Sequence, residues 1–307
     1  MISLLLSALL QTAAPSAAPA PAQDPVSLET PTRLEDIEVT GRPLEQMIRT
    51  FVREVAAPNR GRSLARWEDG ICVGVANLRP EAGQFIADRV STVAQDLGLR
   101  PGRPGCRPNI LVVATDQAPE LAAAMVRERQ RAFILGGSGM DQGRTALAAF
   151  QSNDRPVRWW AVSAPVDSET GRIAVRLPGR SAPEIRLNAM STLSTQVVDS
   201  MNRVFVIVDV DKVSSLTPIQ LADYIAMVSL AQIDPEADTS AYASILNVFD
   251  DPSTAESLTD WDQAYLKGLY SVMWTQKIPG AARLEVSNSI RRAHRELRSQ
   301  REAQTDD

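Results

Sequence analysis

The side chains that most often perform catalysis or bind zinc are scarce in this chain. It has one histidine, His294, and two cysteines among 307 residues. A catalytic zinc site usually needs several histidines, and a structural one a set of cysteines and histidines. His294 lies in an arginine-rich stretch, whereas a Ser/His/Asp triad needs a histidine held in a cleft. We therefore expect no metal, no cofactor and no catalytic residue of these kinds.

One acidic series has the spacing that opens a calcium-binding loop. Asp234, Glu236 and Asp238 alternate with other residues, as the first ligands of such a loop do. Thr239 stands where that loop needs glycine, and Ile245 stands where it needs its closing glutamate. The calcium loop is therefore not predicted, and calcium bound in another geometry stays an alternative.

The amino-terminal residues predict export from the cytoplasm. Residues 2–10 form a short apolar run, and Ala20-Pro21-Ala22 resembles a signal-peptidase cleavage site. We expect a signal peptide over residues 1–22, a polar linker over 23–34, and a periplasmic or secreted protein. The apolar run has no preceding Lys or Arg, so a disordered tail on a cytosolic protein is the alternative.

Export gives the two cysteines a role. An oxidising compartment favours a disulfide between Cys72 and Cys106. Closing a loop of about 35 residues would stabilise the fold by about 3 kcal/mol in the chain-entropy model. The alternative is a pair of free thiols.

Composition limits the partners. The net charge is −5, from 32 basic and 37 acidic residues, which argues against nucleic-acid binding. No segment reaches the run of about 18 apolar residues that a transmembrane helix needs. The remaining candidates are a protein partner and a small ligand.

The hydrophobic pattern predicts an α+β fold. A strand, a helix of about 18 residues and a second strand form a βαβ unit, whose strands should be parallel. A hairpin and a strand that is apolar on both faces, and hence central, follow. The predicted elements are a helix at 43–57, a strand at 71–76, a helix at 80–97, a strand at 109–114, a hairpin of 157–164 with 172–177, and a strand at 202–210.

Two capped helices follow in the last third of the chain. The first covers 217–233, with Thr217 as N-cap and Gln220 completing a capping box. It is almost wholly apolar, which predicts burial. The second begins after Thr259, with Asp262 at the third helical position.

These helices and the segment between them resemble a known family. The order is a buried helix, the segment S-I-L-N at 244–247, and then L-T-D-W-D-Q-A-Y-L-K-G-L-Y at 258–270. It resembles the carboxy-terminal half of the metzincin-type zinc peptidases, in which the buried helix carries H-E-x-x-H-x-x-G-x-x-H above a methionine-containing turn. The specific match covers residues 216–270, and the order of elements is similar over 65–275. The resemblance implies a zincin-like fold, with a mixed twisted sheet packed by helices and a helical carboxy-terminal part.

The residues that would hold the metal are replaced in this sequence. Aligning the buried helix on the zinc motif gives a degenerate site in which no metal ligand and no general base survives. Asp223 takes the place of the first histidine, Tyr224 of the glutamate, Met227 of the second histidine, Leu230 of the glycine, Ile233 of the third histidine, and Leu246 of the methionine in the turn. The resemblance therefore implies an inactive peptidase scaffold.

The resulting prediction is a non-catalytic binding or structural module of the cell envelope. Histidine-poor zincin-like domains of unassigned function occur among exported bacterial proteins, and this chain resembles those. The alternative is a hydrolase with a metal-independent site in the cleft between subdomains. We expect the domain over 35–280 and a charged carboxy-terminal helix or tail over 281–307. That tail could contact a partner, and removing residues 285–307 should leave the fold intact.

Overall fold

The computed structural model describes residues 43–59, 62–68, 70–134, 142–167, 170–174, 197–271 and 279–305. The predicted signal peptide and linker therefore lie outside the described residues. Within them, an open mixed sheet of four strands is packed by eight helices, which confirms the α+β class. The finer zincin-like assignment and the boundaries at 22, 34 and 280 stay predictions.

The elements alternate along the chain before a helical last third. The helices are α1 (Leu44–Val55), α2 (Pro80–Asp96), α3 (Ala118–Glu128), α4 (Gln130–Phe133), α5 (Arg144–Ser152), α6 (Pro218–Leu230), α7 (Asp260–Ser271) and α8 (Pro279–Thr305). The strands are β1 (Val73–Ala76), β2 (Ile110–Thr115), β3 (Val157–Asp167) and β4 (Val197–Asp209). Short 3₁₀ turns cover Ile245–Asn247 and Pro252–Thr254.

The predicted βαβ unit is confirmed. Strands β1 and β2 are parallel neighbours, with Val73 opposite Ile110, and α2 connects them. The sheet order is β1-β2-β4-β3, so β4 is central as its apolar sequence predicts. Strand β4 runs parallel to β2 and antiparallel to β3.

The predicted hairpin is only partly correct. Strand β3 pairs with β4 from Val157 to Asp167, rather than mainly with the segment at 172–177. The turn after Asp167 is present, and Ile173 forms an isolated antiparallel bridge with Val166. Residues 175–177 lie outside the described part of the chain. The sequence could not favour β4 as the partner, because that pairing depends on the whole sheet.

The disulfide Cys72–Cys106 is present, as predicted. It joins the residue before β1 to the segment that leads into β2. Residue 102 must be glycine for the disulfide to fit, because a Cβ at this position would stand 2.5 Å from the Cys106 sulfur. The bond therefore fixes the start of the βαβ unit.

Helices cover both faces of the sheet. Helices α1, α2, α6, α7 and α8 contribute to the larger core, and α3 to α5 to a smaller core on the other face. Strand β3 supplies both, since successive strand residues point to opposite faces. Trp159 belongs to the larger core and Trp160 to the smaller one.

Helix α8 covers Pro279–Thr305, and part of it packs into the core rather than forming a solvated tail. Val286, Ile290 and Ala293 are buried in the larger core. A Cβ at Gly268 of α7 would stand 2.4 Å from Ile290, so the two helices meet at a glycine. This close packing contradicts the expectation that residues 285–307 are dispensable. No helix in the described residues has both the length and the apolar character needed to cross a bilayer.

Candidate functional site

The predicted capping box begins α6. The Thr217 hydroxyl accepts the Gln220 amide hydrogen at 3.3 Å, and the Gln220 side-chain oxygen accepts the Thr217 amide hydrogen at 2.9 Å. The Gln220 side-chain NH₂ also donates to the carbonyls of Pro252 and Ala255, both at 2.7 Å. The cap therefore also anchors the loop that precedes α7.

Helix α6 ends at Leu230, three residues earlier than predicted. The next residues are extended and pair with the chain that leaves α1. Ile233 bridges Ala56, the Ala57 amide donates to the Gln232 carbonyl at 2.9 Å, and the Asp234 amide to the Val55 carbonyl at 2.7 Å. This long-range pairing ends the helix before the predicted boundary at 233.

Asp223, which the resemblance aligns with the first histidine, is fully buried in an ion pair. Arg89 of α2 donates from Nε to Asp223 Oδ1 at 2.5 Å and from Nη2 to Oδ2 at 3.0 Å. The Leu258 amide donates to Oδ2 at 2.8 Å. The hydrogen bond that Arg89 donates to Asp223 raises the pKa of Arg89 above its ordinary value. Asp223 therefore ties α6 to α2 and to the approach to α7.

The partner of Asp223 was missed in the sequence. Asp223 is the only charged residue of an otherwise apolar helix, and a buried carboxylate needs a counter-ion. Arg89 lies between Ile86 and Val93 of the buried stripe of α2. A basic residue beside the buried residues of α2 and an acidic residue within the buried helix α6 are the signal that could have predicted this ion pair.

Tyr224, which the resemblance aligns with the general-base glutamate, is held in an aromatic cluster. Its ring meets Trp159 edge-on at 6.0 Å and Phe249 edge-on at 4.9 Å between centroids. Burial raises its pKa far above the ordinary value. Tyr224 therefore stays protonated and is unsuited to act as a base near neutral pH.

The remaining residues of the predicted degenerate site are packed in the apolar core. Met227 and Leu230 are fully buried, Ile233 is nearly so, and Leu246 is partly buried against the same core. Asp223 and Tyr224 contact different elements, α2 and β3. The predicted residues therefore do not converge on an open cleft.

Asp262 connects the 244–247 turn to α7. Its Oδ1 accepts the Ser244 hydroxyl at 2.6 Å, and its Oδ2 accepts the Ile245 amide at 2.8 Å and the Thr259 amide at 2.9 Å. The Asp262 side chain is fully buried. The predicted N-terminal role of Asp262 is thus present, together with a contact to the turn that the sequence did not indicate.

Tyr270 connects α7 to the end of α6. Its hydroxyl donates to the Leu230 carbonyl at 2.7 Å and accepts the Trp67 amide hydrogen at 3.3 Å. The two capped helices therefore share packing through residues of the segment that resembles the peptidase family.

The acidic series after α6 takes part in local turns. Asp234 accepts the Glu236 amide hydrogen at 2.9 Å, and Asp238 accepts the Ser240 hydroxyl at 2.6 Å. Glu236 pairs with Arg155 at 3.0 Å. The three carboxylates are thus held by different partners.

His294 packs against the aromatic cluster beneath α8. Its ring lies edge-on to Trp261, with 5.8 Å between centroids. Burial, and then the charge of Arg298, lower its pKa. Both features favour a neutral packing residue.

A pocket of about 450 Å³ opens next to the end of α6. Its walls come from the chain after α1, from α5, from β3 and from residues 234–236. Trp159 lines this pocket, and its ring also contacts Tyr224 of α6. Its indole N–H donates to the Ile233 carbonyl at 3.0 Å. The pocket was not predicted from the sequence.

Comparison with family models, curated proteins and solved structures found no match to this chain. The resemblance to metzincin-type peptidases therefore stays a proposal that depends on the residues and geometry described above.

Proposed function

We propose that this chain is a non-catalytic, ligand-binding module on a zincin-like scaffold, exported to the periplasm or outside a bacterial cell. The observation that carries the proposal is the structural use of the degenerate site. Asp223 is neutralised by Arg89, Tyr224 is protonated in an aromatic cluster, and Met227 is core. No side chain at these positions is left to activate water.

The order and the contacts of the elements support the scaffold. A parallel βαβ unit and a central strand precede a buried capped helix, a short turn and a second capped helix. Asp262 and Tyr270, both within the family-like segment, hold the turn and the two helices together. If the sequence match were accidental, there would be no reason for Asp262 to contact the 244–247 turn or for Tyr270 to contact the end of α6.

The disulfide supports export. Cys72–Cys106 fits an oxidising compartment, since disulfides seldom persist in the cytosol. The apolar run at residues 2–10 and the Ala20-Pro21-Ala22 segment add a sequence argument for a signal peptide.

The neighbouring pocket supports binding over a purely structural role. A volume of about 450 Å³ falls in the ordinary range for small-molecule sites. The alternative hydrolase has weaker support, since both cysteines are in the disulfide and His294 packs against Trp261.

The test is metal content combined with hydrolysis. We expect the purified protein to hold no stoichiometric zinc and to leave a quenched-fluorescence peptide library intact, with and without added zinc. A matched control is Asp223→Ala, which should lower the melting temperature and leave the hydrolysis signal at the same background. Stoichiometric zinc, or hydrolysis that Asp223→Ala abolishes without a change in melting, would overturn the proposal.

A further inference from the structure

The pocket beside α6 has a mixed apolar and acidic lining. We infer that it binds a small organic ammonium ion with an apolar body, such as an arylalkylamine. This inference names the ligand class of the proposed binding module and rests on that function.

The apolar wall is preformed. Ala146, Ala149 and Phe150 stand at helical spacing on one side of α5, and Pro58 and Trp159 line the same pocket. Phe150 and Trp159 are almost fully buried, and the indole N–H of Trp159 is already bonded to the Ile233 carbonyl. A ligand therefore meets a fixed apolar surface that gives up no hydrogen bond.

The charged residues that line the pocket are both acidic. They are Asp234 and Glu236, and no basic residue lines it in the described part of the chain. Arg155 is half-buried outside the lining and pairs with the exposed Glu236 at 3.0 Å, so Glu236 already has a counter-ion. Asp234 is the lining carboxylate for which the described residues show no ion pair. Asp234 therefore favours a cation over an anion in this pocket.

Polar uncharged groups add hydrogen-bond acceptors. The Gln142 side-chain NH₂ donates to the Ala161 carbonyl at 3.0 Å, which leaves its amide oxygen for a ligand N–H. An ammonium group is a pure donor and is attracted to an indole ring. Asp234, the Gln142 amide oxygen and Trp159 thus fit one class of ligand.

The experiment compares three probes of one shape on the full protein. These are 2-phenylethylamine as the cation, 2-phenylethanol as the neutral analogue and 3-phenylpropionate as the anion, each titrated by calorimetry at pH 7. We expect the amine to bind about tenfold more tightly than the alcohol, a difference of about 1.4 kcal/mol. The propionate should not bind, and the amine affinity should fall as salt is raised.

Variants locate the binding. Asp234→Asn should bring the amine and the alcohol within about twofold of each other, and Ala149→Trp should abolish both by filling the pocket. Asp116→Asn, an exposed acidic residue outside the pocket lining, is the matched control and should bind as the parent does. Melting curves establish that each variant is folded, and Ala149→Leu serves if the tryptophan variant is not.

Several results would overturn the inference. Equal affinity for the amine and the alcohol, unchanged amine preference in Asp234→Asn, or undiminished binding in a folded Ala149 variant would each do so. Absence of amine binding by a protein free of zinc and of peptidase activity refutes only the ligand class. Peptide hydrolysis would refute the proposed function itself.

Discussion

The middle of α6 and the chain just beyond its end differ in solvent access, since the first is fully packed and the second borders a pocket. In the middle, Asp223, Tyr224 and Met227 are sealed by an ion pair, by aromatic rings and by the core. Beyond the end, Asp234 and Glu236 line a pocket of about 450 Å³. The difference shows that the middle of a helix can be fully packed while the surface just beyond its end stays open. Variants of the sealed region should therefore change stability, and variants of the pocket should change binding.

The largest expected effect tests how far the sealed region extends. Removing residues 285–307 takes Val286, Ile290 and Ala293 from the core behind α7, so the truncated chain should fail to give a cooperative thermal transition. Removing only 299–307 leaves those residues in place and should change the melting temperature little. A cooperative transition in the longer truncation, near that of the parent, would show that α8 is dispensable.

The next effect tests the ion pair that seals the middle of α6. Arg89→Met leaves Asp223 buried without its counter-ion and should cost about 3–5 kcal/mol of unfolding free energy in denaturant titration. The double variant Arg89→Met with Asp223→Leu removes both charges and should recover most of that loss. A single variant that keeps its stability but loses amine binding would make the pair part of the binding site.

The disulfide Cys72–Cys106 lies outside both the middle of α6 and the pocket. Removing it should lower the stability of the whole fold without changing the pocket. Replacing Cys72 and Cys106 by serine should lower the unfolding free energy by about 3 kcal/mol, because the unfolded chain gains freedom. Amine affinity should be unchanged in the folded fraction. If the serine variant and the parent melt at the same temperature, or if the parent alkylates as free thiols, this prediction is wrong.

The smallest effect concerns the cap of α6. Thr217→Ala removes the oxygen that accepts the Gln220 amide hydrogen and should cost about 1 kcal/mol. Thr217→Ser keeps that oxygen and is the matched control, so it should melt close to the parent. Equal losses in both variants would point to the Thr217 methyl group rather than to the cap.

Local signals in the sequence predicted the local structure. The capping box at Thr217 and Gln220 depends on residues three apart, and the βαβ unit on the spacing of apolar residues, and both are confirmed. The disulfide required only two cysteines and an oxidising compartment. The candidate residues of the degenerate site followed from alignment with a motif, and their burial followed from the apolar sequence of the helix.

The parts that were missed depend on contacts between distant segments. Arg89 and Asp223 are separated by 134 residues. The early end of α6 depends on pairing with the chain after α1, and the role of α8 on the fit of Ile290 against Gly268. The pocket is formed by four separate segments, none of which carries a motif for it.

The two adjacent tryptophans of β3 are intrinsic fluorescent probes of the two cores. Trp159 is seated among the residues of the larger core, whereas Trp160 contacts Phe150 and donates to the Phe133 carbonyl at 2.9 Å in the smaller one. Their emission is therefore sensitive to opposite sides of the sheet although a single peptide bond separates them. Comparing the fluorescence of Trp159→Phe and Trp160→Phe during unfolding, with the other three tryptophans common to both, would reveal whether the two helical layers unfold together or one after the other.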